Sequence, residues 1–238
     1  MMMKLKDIAH RENFPKMVGD IFSLLFLDET KNTLRQTSVL QFLLMSTRVD
    51  HSILSQEQLK MLLPYIADIQ TSDGLESFFV LSIYKQTFPH LCISQTFASE
   101  IRKLLLVGLS RMGLRELKEA VPCLWETCKC LQDSACIIKV LNACLGKLNV
   151  AMRSAKNDDR MNLEDSLVRP LLIISQIGQH CDMETFADQI TQRANWPGHS
   201  NNEGSIVSFL VNVLCHFCRN TWSMTCRKTA MQSLGITR

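Results

Sequence analysis

The sequence predicts an all-α chain of stacked helix pairs, and three observations predict it. First, 46% of the 238 residues are hydrophobic, yet aromatics reach only 7% and glycines number nine. The residues that build strands and tight turns are therefore scarce. Second, Leu, Ile, Met and Ala carry the apolar content, and most of these favour helices. Third, pairs of helical segments begin near Phe14, Ser55, Ser94 and Ser134, and again near Ser205. The early spacing of about 40 residues fits HEAT or armadillo repeats and exceeds ankyrin or tetratricopeptide periods. One helix pair cannot bury its own apolar face, whereas stacked neighbours bury a continuous core. The fold class is thus a HEAT-repeat-like α-solenoid of about five helix pairs.

The elements follow in order. Residues 14–27 are dense in apolar side chains and read as a buried helix. Asp28 and Glu29 separate it from a helix over 33–48, with Leu34, Ser38, Phe42 and Met45 on one face. Ser55-Gln56-Glu57-Gln58 is a capping box, in which serine hydroxyl and glutamine side chain satisfy each other's backbone amide. It opens a short helix disturbed at Pro64. Asp73-Gly74-Leu75-Glu76 repeats the device and opens a helix stopped before Pro89. Over 94–112, Phe97, Ile101, Leu104, Leu105, Gly108 and Met112 recur at helical spacing, and Gly113 is predicted to cap its C-terminus. Leu117, Ala120, Val121, Leu124, Cys128 and Leu131 form the next stripe. Pro122 inside it is expected to kink the helix or mark a restart.

Residues 135–150 are helical again. Residues 154–165 hold Lys156, Asp158, Asp159 and Arg160 with little apolar content, and are expected to be an exposed polar loop. The pattern resumes over 167–180 and breaks at 195–202. Helices over 205–217 and 223–234 make a final pair. The organisation expected is helical repeats over 1–153, the loop over 154–165, and further HEAT-like helices over 166–238. The last pair stops in mid-pattern instead of showing the polar face of a capping repeat, which predicts a piece of a longer chain.

Charge is nearly balanced, with 26 Lys+Arg against 23 Asp+Glu, too weak an excess to imply nucleic-acid binding by itself. The start is polar, without the apolar core of a signal peptide. No apolar run approaches the roughly 18–20 residues of a membrane span. The ten cysteines are accordingly expected to be reduced core residues of an intracellular protein.

Two cysteine groups invite a sharper reading. Cys215-His216-Phe217-Cys218, with Cys226 beyond, has a metal-like spacing, but zinc sites want four ligands from loops or turns and this pair lies in an apolar helical run. Cys128, Cys130, Cys136 and Cys144 lie among Leu131, Ile137, Ile138 and Leu141, with no histidine beside them. Core packing is favoured for both groups, so no metal, cofactor or catalytic residue is assigned. The phosphate-loop, dinucleotide, zincin and nucleophile-elbow motifs are absent, and no enzyme activity is expected. The densest basic group is Arg102, Lys103, Arg111, Arg115 and Lys118, around one helix turn. It is the candidate contact for DNA or an acidic partner, acting by sequence-independent phosphate neutralisation. The plain alternative is a solvated face with cations favoured near a helix C-terminus.

One stretch carries more than helical periodicity. Leu62-Leu63-Pro64-Tyr65 is followed by Phe88-Pro89-His90-Leu91, by the helix start Ser94-Gln95-Thr96-Phe97, by Glu100 to Leu105, and by Val121-Pro122-Cys123-Leu124. Arg169-Pro170-Leu171-Leu172, the His180-Cys181-Asp182 turn, and the run from Lys228 to Leu234-Gly235 follow in order. This order resembles the C-terminal HEAT region of the sister-chromatid cohesion loader, the Nipped-B family, over residues 59–235. Residues 1–50 match poorly, and Pro122 stands where the family helix is uninterrupted. The resemblance implies a nuclear, non-enzymatic scaffold. It implies binding of the cohesin ring through its kleisin and ATPase-head subunits, and of DNA or chromatin. The ATP site would belong to cohesin, and the loader's small partner subunit would bind through an N-terminal region absent here. Other HEAT scaffolds, of nuclear-transport or phosphatase type, would share the period without the ordered motifs. A cysteine-based metal-binding protein is the remaining alternative.

Overall fold

The computed structural model describes residues 13–26, 33–67, 75–153, 166–193, 196, 204–221 and 223–235. The expected loop at 154–165, Asp73 and Gly74 of the second capping box, and most of the break at 195–202 lie outside them. The described residues contain no strand. They form eleven α-helices in two compact units, Met1–Leu131 and Gln132–Arg238.

In the first unit α1 (Phe14–Ser23) packs on α2 (Thr33–Val49). The short α3 (Gln56–Met61) and α4 (Pro64–Ala67) share a layer with α6 (Gln95–Gly108). The second helices of successive pairs, α2, α5 (Leu75–Thr87) and α7 (Leu114–Leu131), pack side by side. Serine caps set several starts. Ser55 accepts from the Gln58 amide while the Gln58 side chain accepts from the Ser55 amide, so the predicted capping box is complete. Ser94 caps α6 by accepting from the Phe97 amide. The residue at the N3 position there is apolar, so the Ser94 amide donates instead to Gln56 Oε1, 38 residues back in the preceding pair.

That last bond belongs to a set with one period. Thr37 Oγ1 donates to Glu76 Oε1 at 3.1 Å across 39 residues. Ser77 Oγ donates to Glu116 Oε1 at 3.5 Å, also across 39. Cys123 Sγ donates to the Leu81 carbonyl across 42. Glu76 and Glu116 are both buried, and each lies in the first turn of its helix, where exposed backbone amides favour a negative charge. The repeat read from apolar spacing is thus also the repeat of these polar links. Between the layers, the fully buried Tyr84 stacks on Phe88, meets Phe97 edge-on, and donates from its hydroxyl to the Leu59 carbonyl at 2.7 Å.

Two sequence expectations are corrected here. Gly113 does not cap α6. That helix ends at Leu109 with helical dihedrals, and the Gly108 carbonyl accepts from the amides of both Arg111 and Met112. Gly113 instead precedes α7, where the Glu116 carboxylate folds back to 2.5 Å from the place a Cβ would occupy. A side chain there would meet the far end of the Glu116 side chain, which would have to turn aside. Of the two expectations for Pro122, a kink or a restart, the restart is excluded, since α7 runs unbroken through it. Lys118, whose carbonyl loses its amide donor to the proline, is an exposed residue. The left-handed residue at the end of α7 is Gln132, at φ 51°.

The second unit is built on α9 (Val168–His180), nearly all of it buried, which packs against α8 (Ala135–Arg153), α10 (Ile206–Asn220) and α11 (Met224–Ser233). Gly178 faces Leu210 of α10, whose Cδ1 would lie 3.4 Å from a Cβ there, an ordinary packing contact. Ser205 and Ser223 cap α10 and α11, and Gly235 turns left-handed at φ 71° just beyond. Trp196, inside the sequence break, is buried and meets Phe209 edge-on at 5.9 Å. The sequence shows no run long enough for a membrane span, but by length and composition α8 does reach that measure. Its stripe of Ile137, Leu141, Leu145 and Leu148 is buried, while Lys139 and Lys147 are exposed, the pattern of a packed amphipathic helix.

Removing the buried acceptor should cost stability. Glu116→Ala is expected to lose about 1–3 kcal/mol, measured by urea denaturation. Gln132→Gly should gain about 1 kcal/mol by relieving the left-handed conformation.

Candidate nucleic-acid and partner interface

The α6–α7 turn gathers the basic group. In α7 the residues facing inward are Glu116, Leu117, Ala120, Val121 and Leu124. At 3.6 residues per turn this forces Arg115 and Lys118 outward, and both are exposed. Lys103 is exposed on α6, and Arg111 is exposed in the turn itself. Arg102 is half-buried, and both it and Arg111 have interactions of their own within the protein. The turn is held by the paired amides on Gly108 and by the buried Met112.

Neighbouring acids are partly occupied. Glu119 pairs with Lys85 at 3.3 Å and Glu116 takes the Ser77 hydroxyl, whereas Glu100 is exposed one turn before Lys103. Two exposed apolar residues lie within the basic group and escape a reading by charge alone. Val107 is 64% exposed and Leu114 is 44% exposed, each one helical turn from a lysine, Lys103 and Lys118 respectively. The tip can therefore offer several cations to an anionic surface and an apolar contact between them.

The cysteines offer less chemistry. None of the ten forms a disulfide, and among the described residues no three His, Cys, Asp or Glu side chains are placed to hold a metal. Cys123, Cys128, Cys144, Cys181 and Cys226 are buried, but Cys130, Cys136, Cys215 and Cys218 are only partly so, and Cys92 is exposed. The expectation of uniformly core cysteines is corrected to that extent. Cys92 ends up outside because it follows a one-turn 3₁₀ segment, Phe88–His90, instead of lying in a helix. Burial pushes the Cys123 thiol well up and the Cys144 thiol up to about 11, so both stay protonated at neutral pH.

No protein-family model matches the chain. The chain is 27% identical to Sister chromatid cohesion protein 2 of Saccharomyces cerevisiae over 125 residues, 52% of the chain and 8% of that protein. It is 28% identical to Sister chromatid cohesion protein mis4 of Schizosaccharomyces pombe over 132 residues, 55% of the chain and again 8% of the relative. It therefore spans only a small part of the length of either. The solved C-terminal fragment of the Chaetomium thermophilum cohesin loader SCC2 superposes with a TM-score of 0.78 at 24% identity, covering 93% of this chain and 17% of that one. This likeness establishes the fold.

The Cys144 thiol binds its proton more tightly folded than unfolded. Its contribution is full below the ordinary thiol value near 9.0 and lost as pH rises toward about 11. Stability should fall across that window by about 2–3 kcal/mol more in the parent than in Cys144→Ala, measured by urea denaturation at several pH values.

Proposed function

The chain is homologous to the sister chromatid cohesion proteins, and from this premise we propose that it serves as a scaffold in cohesin loading. The homology, which spans just over half the chain, is the observation that carries the reading. In this role the chain works in the nucleus, binds cohesin through its kleisin and ATPase-head subunits, and contacts DNA without reading its sequence. It contributes shape and binding surface and no catalytic group, the ATP hydrolysis being cohesin's own.

The DNA contact falls on Lys103, Arg111, Arg115 and Lys118, with Arg102 at its margin. Each cation placed on a phosphate releases condensed counterions, so binding weakens steeply with salt. The exposed Val107 and Leu114 support contact with an apolar protein surface at the same tip.

A pull-down of purified cohesin subunits and duplex DNA by this chain, at low and physiological salt, tests the reading. Retention of kleisin or ATPase heads, with DNA released at the higher salt, is the expected result. Failure of a folded, helical chain to retain any cohesin subunit would overturn it. Arg111→Glu with Arg115→Glu should lower DNA affinity about tenfold or more at low salt and flatten the salt dependence by about one unit for each phosphate left unneutralised. Unchanged DNA binding would remove the basic tip from the proposal.

A further inference from the structure

The far end of the α6–α7 pair, about 20 Å along the helices from the basic tip, carries a different chemistry. Between the 3₁₀ segment Phe88–His90 and α6 the chain makes a tight turn centred on Cys92. The Ile93 amide donates to the Leu91 carbonyl at 3.0 Å. Ile93 is buried and Cys92 is exposed, so the turn presents its thiol to solvent. The last turn of α7 comes back to the same place. Cys130 Sγ donates to the Ile93 carbonyl at 3.2 Å, one peptide unit beyond Cys92.

We propose that Cys92 and Cys130 form a redox-responsive dithiol, with Cys92 the thiol attacked first by oxidant and Cys130 the resolving thiol. Accessible thiols next to a resolving cysteine are the ones that oxidise reversibly. The two sense each other directly, since Cys130 is held up by burial and then by the neighbouring Cys92. A proton on Cys130 keeps it from reacting first, whereas Cys92 is the exposed member. The other candidate pair, Cys215 and Cys218, is half-buried on one helix and has no exposed member. It lacks this division of labour.

The oxidant is a small disulfide of the glutathione type. The Cys92 thiolate attacks one sulfur of oxidised glutathione, forms a mixed disulfide and releases one glutathione thiolate, which takes up a proton. The Cys130 thiolate, its proton passed to solvent, then attacks the Cys92 sulfur and displaces the second glutathione. Two protein thiols lose two electrons and two protons, and one oxidised glutathione becomes two reduced ones. The bond formed would tie the end of α7 to the turn that leads into α6, limiting the unfolded chain and raising stability.

Oxidised glutathione added to the purified chain, followed by tryptic digestion without reductant and mass spectrometry, tests the proposal. The expected product joins peptide 86–102, which holds Cys92, to peptide 130–139, which holds Cys130 and Cys136. The cross-link should vanish in Cys92→Ser and in Cys130→Ser and persist in Cys136→Ser. The thermal midpoint of the oxidised parent should rise and return with dithiothreitol, and Cys92→Ser, altered only at an exposed position, should show no such rise. Two results would overturn the proposal. One is a glutathione adduct that stays on Cys92 of the parent with Cys130 unmodified. The other is a cross-link that survives Cys130→Ser by way of Cys136.

Discussion

A carboxylate withdrawn from water at the start of a helix needs a donor, and in the first unit that need fixes how one helix pair sits on the next. Glu76 takes its donor from Thr37 and Glu116 from Ser77. The donors are themselves 40 positions apart, as are the acceptors, so the same link is made twice along the stack. Apolar burial supplies most of the drive to stack, but apolar faces tolerate sliding. A slip of one turn would leave each carboxylate buried and unpaired, a loss far larger than the worth of the bond itself. Gln56 plays the same part in the other layer, where it supplies the acceptor that α6 cannot provide for the Ser94 amide. The buried carboxylates Glu76 and Glu116 set register, the role in which buried polar pairs are best attested.

The position of the basic tip follows from that register. Once Glu116 is turned inward, the helical repeat leaves Arg115 and Lys118 no inward alternative. The Lys85–Glu119 pair then ties the neighbouring turn of α7 back to α5. Arg115 and Lys118 are thereby exposed beside Lys103 and Arg111 at the α6–α7 turn. Val107 and Leu114 remain outside for the same reason, because the faces of α6 and α7 that meet are already filled by Ile101, Leu105, Leu117 and Ala120.

What can be read in the sequence is what depends on near neighbours along the chain. The caps at Ser55, Ser94, Ser205 and Ser223 are local chemistry, since a hydroxyl reaches an amide three residues on. The period of the early pairs is legible because each must present an apolar stripe. The gathering of basic residues is legible because a hairpin brings together what is already adjacent. The features that sequence hides share the opposite property. Gly113 has the look of a cap, yet the chain has already turned at Gly108 to Met112 before reaching it. Pro122 has the look of a break, but the packing of Val121, Cys123 and Leu124 holds α7 continuous through a missing hydrogen bond. Glu76 reads as the far end of a capping box and Glu116 draws no reading at all, because nothing near them in sequence announces donors 39 residues away. Trp196 is hidden in a polar stretch, its partner Phe209 thirteen positions further on. Cys92 groups with the core by residue type, because cysteine usually is buried, and its exposure is decided by a short turn.

In a stack whose stability is close to a sum over neighbouring repeats, the links that hold register and the exposed basic surface need not compete. The carboxylates and hydroxyls of the register lie on the inward faces of α2, α5 and α7, while the cations of the tip lie on the outward faces and make few demands on the core. Charge at Lys103, Arg115 or Lys118 can therefore change at little cost to folding, since exposed ion pairs and single surface charges are worth little. A change at Glu116 reaches the preceding pair at once. Between relatives 27% and 28% identical to this chain, this separation predicts which positions drift together. The register residues are constrained in pairs 39 apart by each other's chemistry, whereas the exposed Lys103, Arg115 and Lys118 are constrained far less by the fold. A surface of that kind can change its charge without rebuilding the scaffold beneath it.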